Sequence, residues 1–141
     1  METSADSWLG GKLTLLQPAK GHRVGSDAAL LAAATPQAER IVDVGAGVGA
    51  VGLALLKRMT GARAELVEID AELGALAAEN VRKNDLAERA RVIVADVTAA
   101  RSRRGGHRNR SSVNGAGRQL CADHGPLRLS QLNLVVTNST T

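Results

Sequence analysis

Residues 40–56 constrain the fold of this chain more than any other stretch. They begin with a short β-branched run, continue with glycine at every second position, and end in an apolar run of helical length. This order predicts a strand, a sharp turn and a helix, with the turn formed by Gly45, Gly47 and Gly49. The N–H groups at the start of a helix favour an anionic group, so the turn is expected to bind a ligand.

Asp43, inside the predicted strand, separates two cofactor classes. Gly47, Gly49 and Gly52 satisfy the spacing of a dinucleotide-binding turn, which alone is a weak signal. A carboxylate in a central strand is costly to bury without a cationic or hydrogen-bonding partner, and a nearby pyrophosphate would raise that cost. S-adenosylmethionine has an ammonium and a sulfonium group and no phosphate, so Asp43 favours it over a nicotinamide dinucleotide. A structural turn with a capping aspartate is the alternative that needs no ligand.

Two further acids follow the next two predicted strands. Glu68 ends the second strand of the predicted parallel sheet and Asp96 ends the third. The carboxyl ends of parallel strands share one edge, where open α/β sheets bind ligands. Glu68 is expected to accept from both ribose hydroxyls and Asp96 from the adenine amine, whereas Asp70 is expected to start a helix. The alternative is that Glu68 and Asp96 are solvated loop acids.

The apolar pattern alternates between strand and helix periods along most of the chain, which predicts an α/β fold with a mostly parallel sheet. Ser26 is expected to cap the first helix and Asp27 to lie in its first turn; on local grounds capping alone explains both. The predicted strands cover residues 9–17 (one strand, or two around Gly10 and Gly11), 40–44, 64–69, 90–95 and 132–137, and the helices 27–35, 48–59 and 72–84.

Charge and composition divide the chain into segments. Residues 1–98 carry 11 Lys and Arg against 13 Asp and Glu, and residues 99–141 carry 7 Arg against 1 Asp, so charges of −2 and +6 give the net +4. The basic part indicates either a nucleic-acid-facing segment or a foreign tail. Trp8 is the only aromatic residue, which counts against a self-sufficient base-stacking site.

Four segments are predicted from these patterns. Residues 1–39 form an N-terminal strand and helix extension, and residues 40–98 form the cofactor-binding βαβ core. Residues 99–127 are rich in Arg, Gly and Ser and are expected to be disordered, because they cannot bury enough apolar surface. Residues 128–141 hold a fourth strand and a partial substrate motif.

Several classes of protein are not favoured. Apolar runs stay shorter than the ~18 residues of a membrane span, and the first residues are polar, unlike a signal peptide. Cys121 is the single cysteine, which fits a reducing cytoplasm. Cys121 and His124 form half of a metal pair without a second half, so we expect no metal site and no membrane association.

The motifs resemble those of class I S-adenosylmethionine-dependent methyltransferases. The resemblance rests on residues 42–49, Glu68 and Asp96. Residues 10–18, 21–31 and 77–84 are similar to the bacterial small-methyltransferase-domain group, which includes valine-tRNA N6-adenine methyltransferases. It implies a Rossmann-like three-layer sandwich lacking its C-terminal strands, S-adenosylmethionine as cofactor and tRNA or another RNA as partner. The cofactor-binding residues implied are Asp27, Asp43, Gly45, Gly47, Glu68 and Asp96.

By the same resemblance, Asn138 matches the asparagine of the family's Asn-Pro-Pro-Tyr motif and is the catalytic residue. In the family its oxygen and a backbone carbonyl accept the hydrogens of the target amine, while the aromatic stacks on the extruded base. Here Ser139, Thr140 and Thr141 follow instead. We therefore expect cofactor binding with slow or no methyl transfer. A protein-glutamine methyltransferase, which uses the same motif, and a non-catalytic cofactor-binding remnant are the alternatives.

Overall fold

The computed structural model of the protein describes residues 1–97 and the backbone of residues 132–136. The strands in those residues are β1 (Thr3–Trp8), β2 (Leu13–Pro18), β3 (Arg40–Val44), β4 (Arg63–Glu68), β5 (Ala90–Val94) and β6 (Leu132–Val136); the helices are α1 (Ser26–Ala34), α2 (Ala50–Arg58) and α3 (Ala71–Lys83).

Four parallel strands form the main sheet in the order β5-β4-β3-β6. β3 is flanked by β4 and β6, with Val42 opposite Glu65 on one side and Leu134 on the other. Helices α2 and α3 connect the strands from β3 to β5, so the carboxyl ends of the three strands share one edge. The predicted α/β fold with a parallel sheet is confirmed.

Helices α2 and α3 cover the same face of this sheet. A Cβ at Gly52 of α2 would lie 2.2 Å from Leu66, and one at Gly74 of α3 would lie 3.9 Å from Val92. Leu66 and Val92 are register partners in β4 and β5, and register partners point to the same side. The apolar core lies beneath these helices. Its fully buried large members are Leu13, Leu15, Ile41, Leu53, Leu55, Leu56 and Leu66.

An arginine from outside the helix satisfies the end of α2. The guanidinium of Arg89 donates to the carbonyl oxygens of Leu56, Met59, Thr60 and Ala62 at 2.9–3.1 Å. The last carbonyls of a helix receive no hydrogen bond from an N–H group within that helix. A cation there donates to them and interacts favourably with the helix dipole. This contact fixes the helix that begins at the glycine turn.

The N-terminal hairpin differs from the sequence prediction. β1 pairs with β2 in antiparallel register from Thr3 opposite Pro18 to Trp8 opposite Leu13. A turn with positive φ at Leu9, Gly10 and Gly11 joins the two strands. The single strand predicted over residues 9–17 is therefore wrong, and the two-strand alternative is closer. β1 lies in polar residues with no strand pattern of their own, so its pairing with β2 decides its conformation.

Helix α1 also departs from its prediction at one residue. It begins at Ser26, and its N-cap is Gly25, which forms no side-chain capping bond. Ser26 was expected to be the N-cap, which is wrong. Asp27 lies in the first turn as predicted.

Some predictions fall outside the described residues. These are the disorder of residues 99–127 and the position of Asn138. The division of the chain at residues 39, 98 and 127 stays a prediction.

Candidate functional site

The turn after β3 is tied to the end of β4 by its backbone. We call residues 45–49 the glycine loop. The N–H groups of Gly45 and Ala46 both donate to the carbonyl of Val67, at 2.9 and 3.0 Å. The N–H of Gly47 donates to Oε2 of Glu68 at 2.7 Å. Three successive amides are therefore used to hold the loop against the neighbouring strand.

Glycine is required at two points where this loop becomes α2. Gly49 is the N-cap of the helix with φ +87°, a conformation that L side chains rarely adopt. At Gly52 a Cβ would lie 2.2 Å from Leu66 Cδ2 and 3.2 Å from Asp43 Oδ2. The helix can thus pack directly on the strands only because no side chain stands between them.

Asp43 is fully buried, and the start of the helix supplies it with a partner. Its Oδ2 accepts from the N–H of Gly52 at 3.0 Å. The first amides of a helix lack partners within it. Leu53 donates to the Gly49 carbonyl, and Ala50 and Val51, the first two residues of α2, line a cavity.

The carboxylate of Glu68 accepts hydrogen bonds from three backbone amides. The residue is 4% exposed. Oε2 accepts from Gly47, and Oε1 accepts from the N–H groups of Ile69 and Asp70 at 2.8 and 3.0 Å. Charge-assisted bonds to backbone amides are among the stronger hydrogen bonds. Glu68 therefore fixes the glycine loop and the turn after β4 relative to each other.

The other two acids at this edge differ in role. Asp70 is the N-cap of α3, and its Oδ1 accepts from Glu72 and Leu73 at 2.8 and 3.2 Å, as predicted. Asp96 lies two residues beyond β5 and is exposed. Asp43, Glu68 and Asp96 thus lie near the carboxyl ends of β3, β4 and β5, which share one edge of the sheet. Their role in cofactor binding stays a prediction.

A cavity of about 300 Å³ lies between the glycine loop and residues 17–31, which we call the cap segment. The lining includes three predicted cofactor-binding residues, Asp27, Gly45 and Gly47. Ala50 and Val51, at the start of α2, line it as well. Among the residues that the structure describes, the other predicted acids (Asp43, Glu68 and Asp96) are not part of this lining.

The cap segment is held by a buried glutamine. Gln17 is 4% exposed. Its Oε1 accepts from the N–H of Val24 at 2.8 Å, and its Nε2 donates to Asp6 at 2.9 Å. Arg23 forms an ion pair with the same Asp6 carboxylate. The bond to Val24 closes the chain from 17 to 24 into a loop over the cavity.

Asn80 of α3 and Asn84, the C-cap residue of that helix, attach the hairpin to the core. Asn80 accepts from the Leu16 N–H at 2.7 Å and donates to the Leu16 carbonyl at 3.0 Å. Asn84, one helical turn later, makes the same pair of bonds to Thr14 at 2.9 and 2.8 Å. The two side-chain amides thus satisfy backbone groups of β2 as a neighbouring strand would. Sequence reasoning did not find them, although polar residues four apart on a helix with an apolar face are a usable signal.

The family of the chain follows from comparison with known proteins. The model of the methyltransferase small domain matches residues 21–105. The chain belongs to the methyltransferase small-domain family. The matched range includes most of the cap segment, the whole glycine loop and the ends of β4 and β5, so it covers both walls of the cavity. The family predicted from the sequence motifs is confirmed.

Curated relatives match about half of the chain. The tRNA1(Val) (adenine(37)-N6)-methyltransferase of Parabacteroides distasonis is 36% identical over 83 residues, which are 57% of this chain and 35% of that protein. The enzyme of the same name from Escherichia coli K12 is 38% identical over 78 residues, 53% of this chain and 32% of that protein. The chain therefore spans about a third of the length of the curated relatives it matches.

Solved structures with the same fold support the architecture. M. jannaschii TYW2 in complex with AdoMet aligns with a TM-score of 0.57 at 20% identity, covering 67% of this chain and 43% of that one. M. jannaschii tRNA m1G37 methyltransferase aligns with a TM-score of 0.55 at 21% identity, covering 67% and 29%. The predicted Rossmann-like methyltransferase fold class is confirmed.

Within residues 1–97 and 132–136, every helix is too short or too polar to span a bilayer. In that part of the chain, no three His, Cys, Asp or Glu side chains come together in a way that could hold a metal ion.

Proposed function

We propose that the chain binds S-adenosylmethionine in the cavity between the cap segment and the glycine loop, and that it uses the cofactor as a methyl donor. The charge arrangement of the cavity carries this proposal. Asp27 and the first residues of α2, Ala50 and Val51, line the same space. A carboxylate favours an ammonium group, and helix-terminal amides favour a carboxylate. The amino-acid end of S-adenosylmethionine has both groups.

The size and polarity of the cavity support the same cofactor. Its volume of about 300 Å³ lies at the lower end of the range for small-molecule sites, roughly 300–1,000 Å³. Apolar side chains, among them Val24, Leu31 and Val51, form much of the walls. Bound there, the cofactor would supply an electrophilic methyl group on its sulfonium.

A nicotinamide dinucleotide is disfavoured by the same walls. A pyrophosphate needs cations or several free amides to balance its charge. The described lining residues include no Lys or Arg. The amides of Gly45, Ala46 and Gly47 are already used within the protein, and Asp27 would repel a phosphate.

The strand-end acids are assigned to the nucleoside end. A carboxylate has about four acceptor positions, and Glu68 uses three of them for backbone amides. One position on Oε2 stays available for a ribose hydroxyl. Acceptance from both hydroxyls, as the sequence predicts, would require Glu68 to release an amide. Asp96 is assigned to the adenine amine, where exposure to solvent weakens a hydrogen bond.

As the finer function we propose N6-methylation of adenine in tRNA, in the cytoplasm. The names of the curated relatives support it, as does the match over both walls of the cavity. The acceptor amine would be held by Asn138, by resemblance to the family motif. The role of the protein would be to align that amine with the methyl group, since in-line displacement gains most from orientation.

Calorimetric titration of the purified chain tests the cofactor. S-adenosylmethionine and S-adenosylhomocysteine are expected to bind more tightly than NAD. Tighter binding of NAD would overturn the proposal.

Radiolabelled methyl transfer tests the acceptor, with a tRNA1(Val) transcript as substrate and Asn138→Ala as the control variant. Transfer that requires both the target adenine and Asn138 would support the finer function. Cofactor binding without transfer would match the expectation drawn from Ser139 and Thr140 in place of the prolines, and would favour the non-catalytic alternative. Transfer that Asn138→Ala leaves unchanged would overturn the assignment of Asn138.

A further inference from the structure

One buried side chain bonds both to the glycine loop and to the strand that leads into the cap segment. Asn80 is completely buried on α3. Its amide forms three hydrogen bonds: one from the Leu16 N–H, one to the Leu16 carbonyl, and one to the Val48 carbonyl at 2.9 Å. Leu16 directly precedes the cap segment, and Val48 belongs to the glycine loop. Asn80 is therefore a bridge between the two elements that enclose the cavity.

The bond to Val48 fixes the peptide plane that directly precedes α2. That plane joins the Val48 carbonyl to the Gly49 N–H. Asn80 holds the carbonyl end, and the Gly49 N–H donates to the Ala46 carbonyl at 2.8 Å. A peptide unit is rigid, so fixing both ends fixes its orientation. The amides of Ala50 and Val51 follow immediately, so their direction depends on this plane.

The bonds to Leu16 fix the opposite wall. Both backbone groups of Leu16 are bound by one amide, and the next two residues, Gln17 and Pro18, line the cavity. The separation of the glycine loop from the start of the cap segment is thus tied to a single side chain, which bonds to Val48 and to Leu16. A planar amide with one acceptor and two donor hydrogens is the group that can satisfy all three contacts.

We propose that Asn80 is a positioning residue of the cofactor site, which sets the separation of the glycine loop from the cap segment and aims the first amides of α2 at the ligand. The inference rests on the proposed function for its ligand. Its structural part, the fixing of the peptide plane before α2, can be measured without one.

Asn84, the C-cap residue of the same helix, provides a matched control. It is also buried, and its side chain also forms three hydrogen bonds: two with Thr14 and one to the Asn80 carbonyl at 2.8 Å. It holds the same strand in the same way, but none of these three bonds reaches the glycine loop. Removing either amide should cost similar stability, since each leaves three buried backbone groups without their partner.

The test compares Asn80→Ala with Asn84→Ala. Both are expected to lower the melting temperature by similar amounts. Calorimetric titration with S-adenosylhomocysteine should show about tenfold weaker binding for Asn80→Ala, and a change within about twofold for Asn84→Ala. Amide hydrogen exchange by NMR, without ligand, should be faster in Asn80→Ala alone at Gly49 and Leu53, whose N–H groups form the hydrogen bonds on either side of this peptide plane.

Equal loss of affinity in the two variants, or wild-type affinity in Asn80→Ala, overturns the proposal. If Asn80→Ala does not fold, Asn80→Ser replaces it. Failure of both while Asn84→Ala folds would assign Asn80 to general stability and also overturn the proposal. If the wild-type chain binds no S-adenosylhomocysteine, the proposed function fails. The exchange measurement then decides the role of Asn80 alone: faster exchange in Asn80→Ala only supports it, and equal exchange in both variants overturns it.

Discussion

The two walls of the cavity are built by different means. The glycine loop is held mainly by groups close to it in the chain or in the adjacent strand, namely its own amides, the Val67 carbonyl and the Glu68 carboxylate, with one further bond from Asn80. The hairpin strand that leads into the cap segment is held by side chains from distant parts of the sequence, including Asn80, which is 64 residues from its partner Leu16. The first wall is a motif that folds largely on local terms. The second exists only when the hairpin docks on α3.

This difference predicts where the site is rigid. Gly52 leaves no space between α2 and the strands, and Asp43 and Glu68 are buried. The cap segment is more exposed. Asp27, the acidic residue that it contributes to the cavity lining, is itself exposed. Substitutions in the glycine loop should therefore affect both folding and binding, whereas most substitutions in the cap segment should have smaller effects.

The largest effect is expected for Gly52→Ala. In an ordinary helix this change would stabilise by about 1 kcal/mol. Here the new Cβ would lie 2.2 Å from Leu66 and would also press on Asp43. We expect a net loss of about 3 kcal/mol in the free energy of unfolding, as for overpacked cores. Urea denaturation measures this loss. Gly61→Ala is the control, because a Cβ added at Gly61 would meet no atom within 4 Å beyond its own chain neighbours. Unchanged or increased stability of Gly52→Ala would show that α2, the helix that follows the glycine loop, is not closely packed on the strands.

Glu68→Ala should come next, because it removes the acceptor of three amides and the proposed partner of the ribose. Binding of S-adenosylhomocysteine should weaken by about 1–3 kcal/mol, the scale of charge-assisted hydrogen bonds. Asp96→Ala, at an exposed position, should cost less. Calorimetry on folded variants measures both. Unaltered affinity in both variants would contradict the assignment of the strand-end acids.

Gln17→Ala tests the cap segment. The change leaves the Val24 N–H without its acceptor, and we expect the free energy of unfolding to fall by about 1–2 kcal/mol. Lys20→Ala, at an exposed position in the same segment, should stay within about 0.5 kcal/mol. Chemical denaturation measures both. A loss for Gln17→Ala as large as that for Gly52→Ala would remove the distinction between the two walls.

The smallest effect is expected for Arg23→Ala. Arg23 and Asp6 form an ion pair with side chains 42% and 36% exposed. Solvent screens such pairs, so the free energy of unfolding should change by no more than about 0.5 kcal/mol. The measurement is denaturation at low and high salt. A loss equal to that of Gln17→Ala would mean that the ion pair, and not the buried amide, holds the loop.

Sequence patterns predicted the elements whose conformation depends on nearby residues. β3 has the predicted bounds, Arg40–Val44, because a β-branched run followed by glycines has few alternatives. α2 and α3 lie within the predicted ranges or one residue from them. Asp70 is the N-cap of α3, as expected, because the side chain of an N-cap bonds to amides two and three residues later.

The prediction was wrong where distant partners decide the structure. β1 has the polar sequence Thr3–Trp8, and its strand conformation comes from β2 and not from its own residues. Ser26 offers a capping hydroxyl, yet Gly25 is the N-cap. The attachment of the hairpin through Asn80 and Asn84 was not predicted, because contacts 64 and 70 residues apart leave little mark on local patterns.

The sequence by itself determined the family, the parallel α/β core and the acids at the strand ends, because glycine turns and strand-end carboxylates are short-range features with few physical solutions. Tertiary structure alone decided how those acids are used. Glu68 accepts from an amide of the glycine loop and Asp43 from an amide of α2, while the cavity is lined by Asp27 and the start of α2. A buried carboxylate takes the nearest donors, and which donors are nearest depends on how the helices and strands pack.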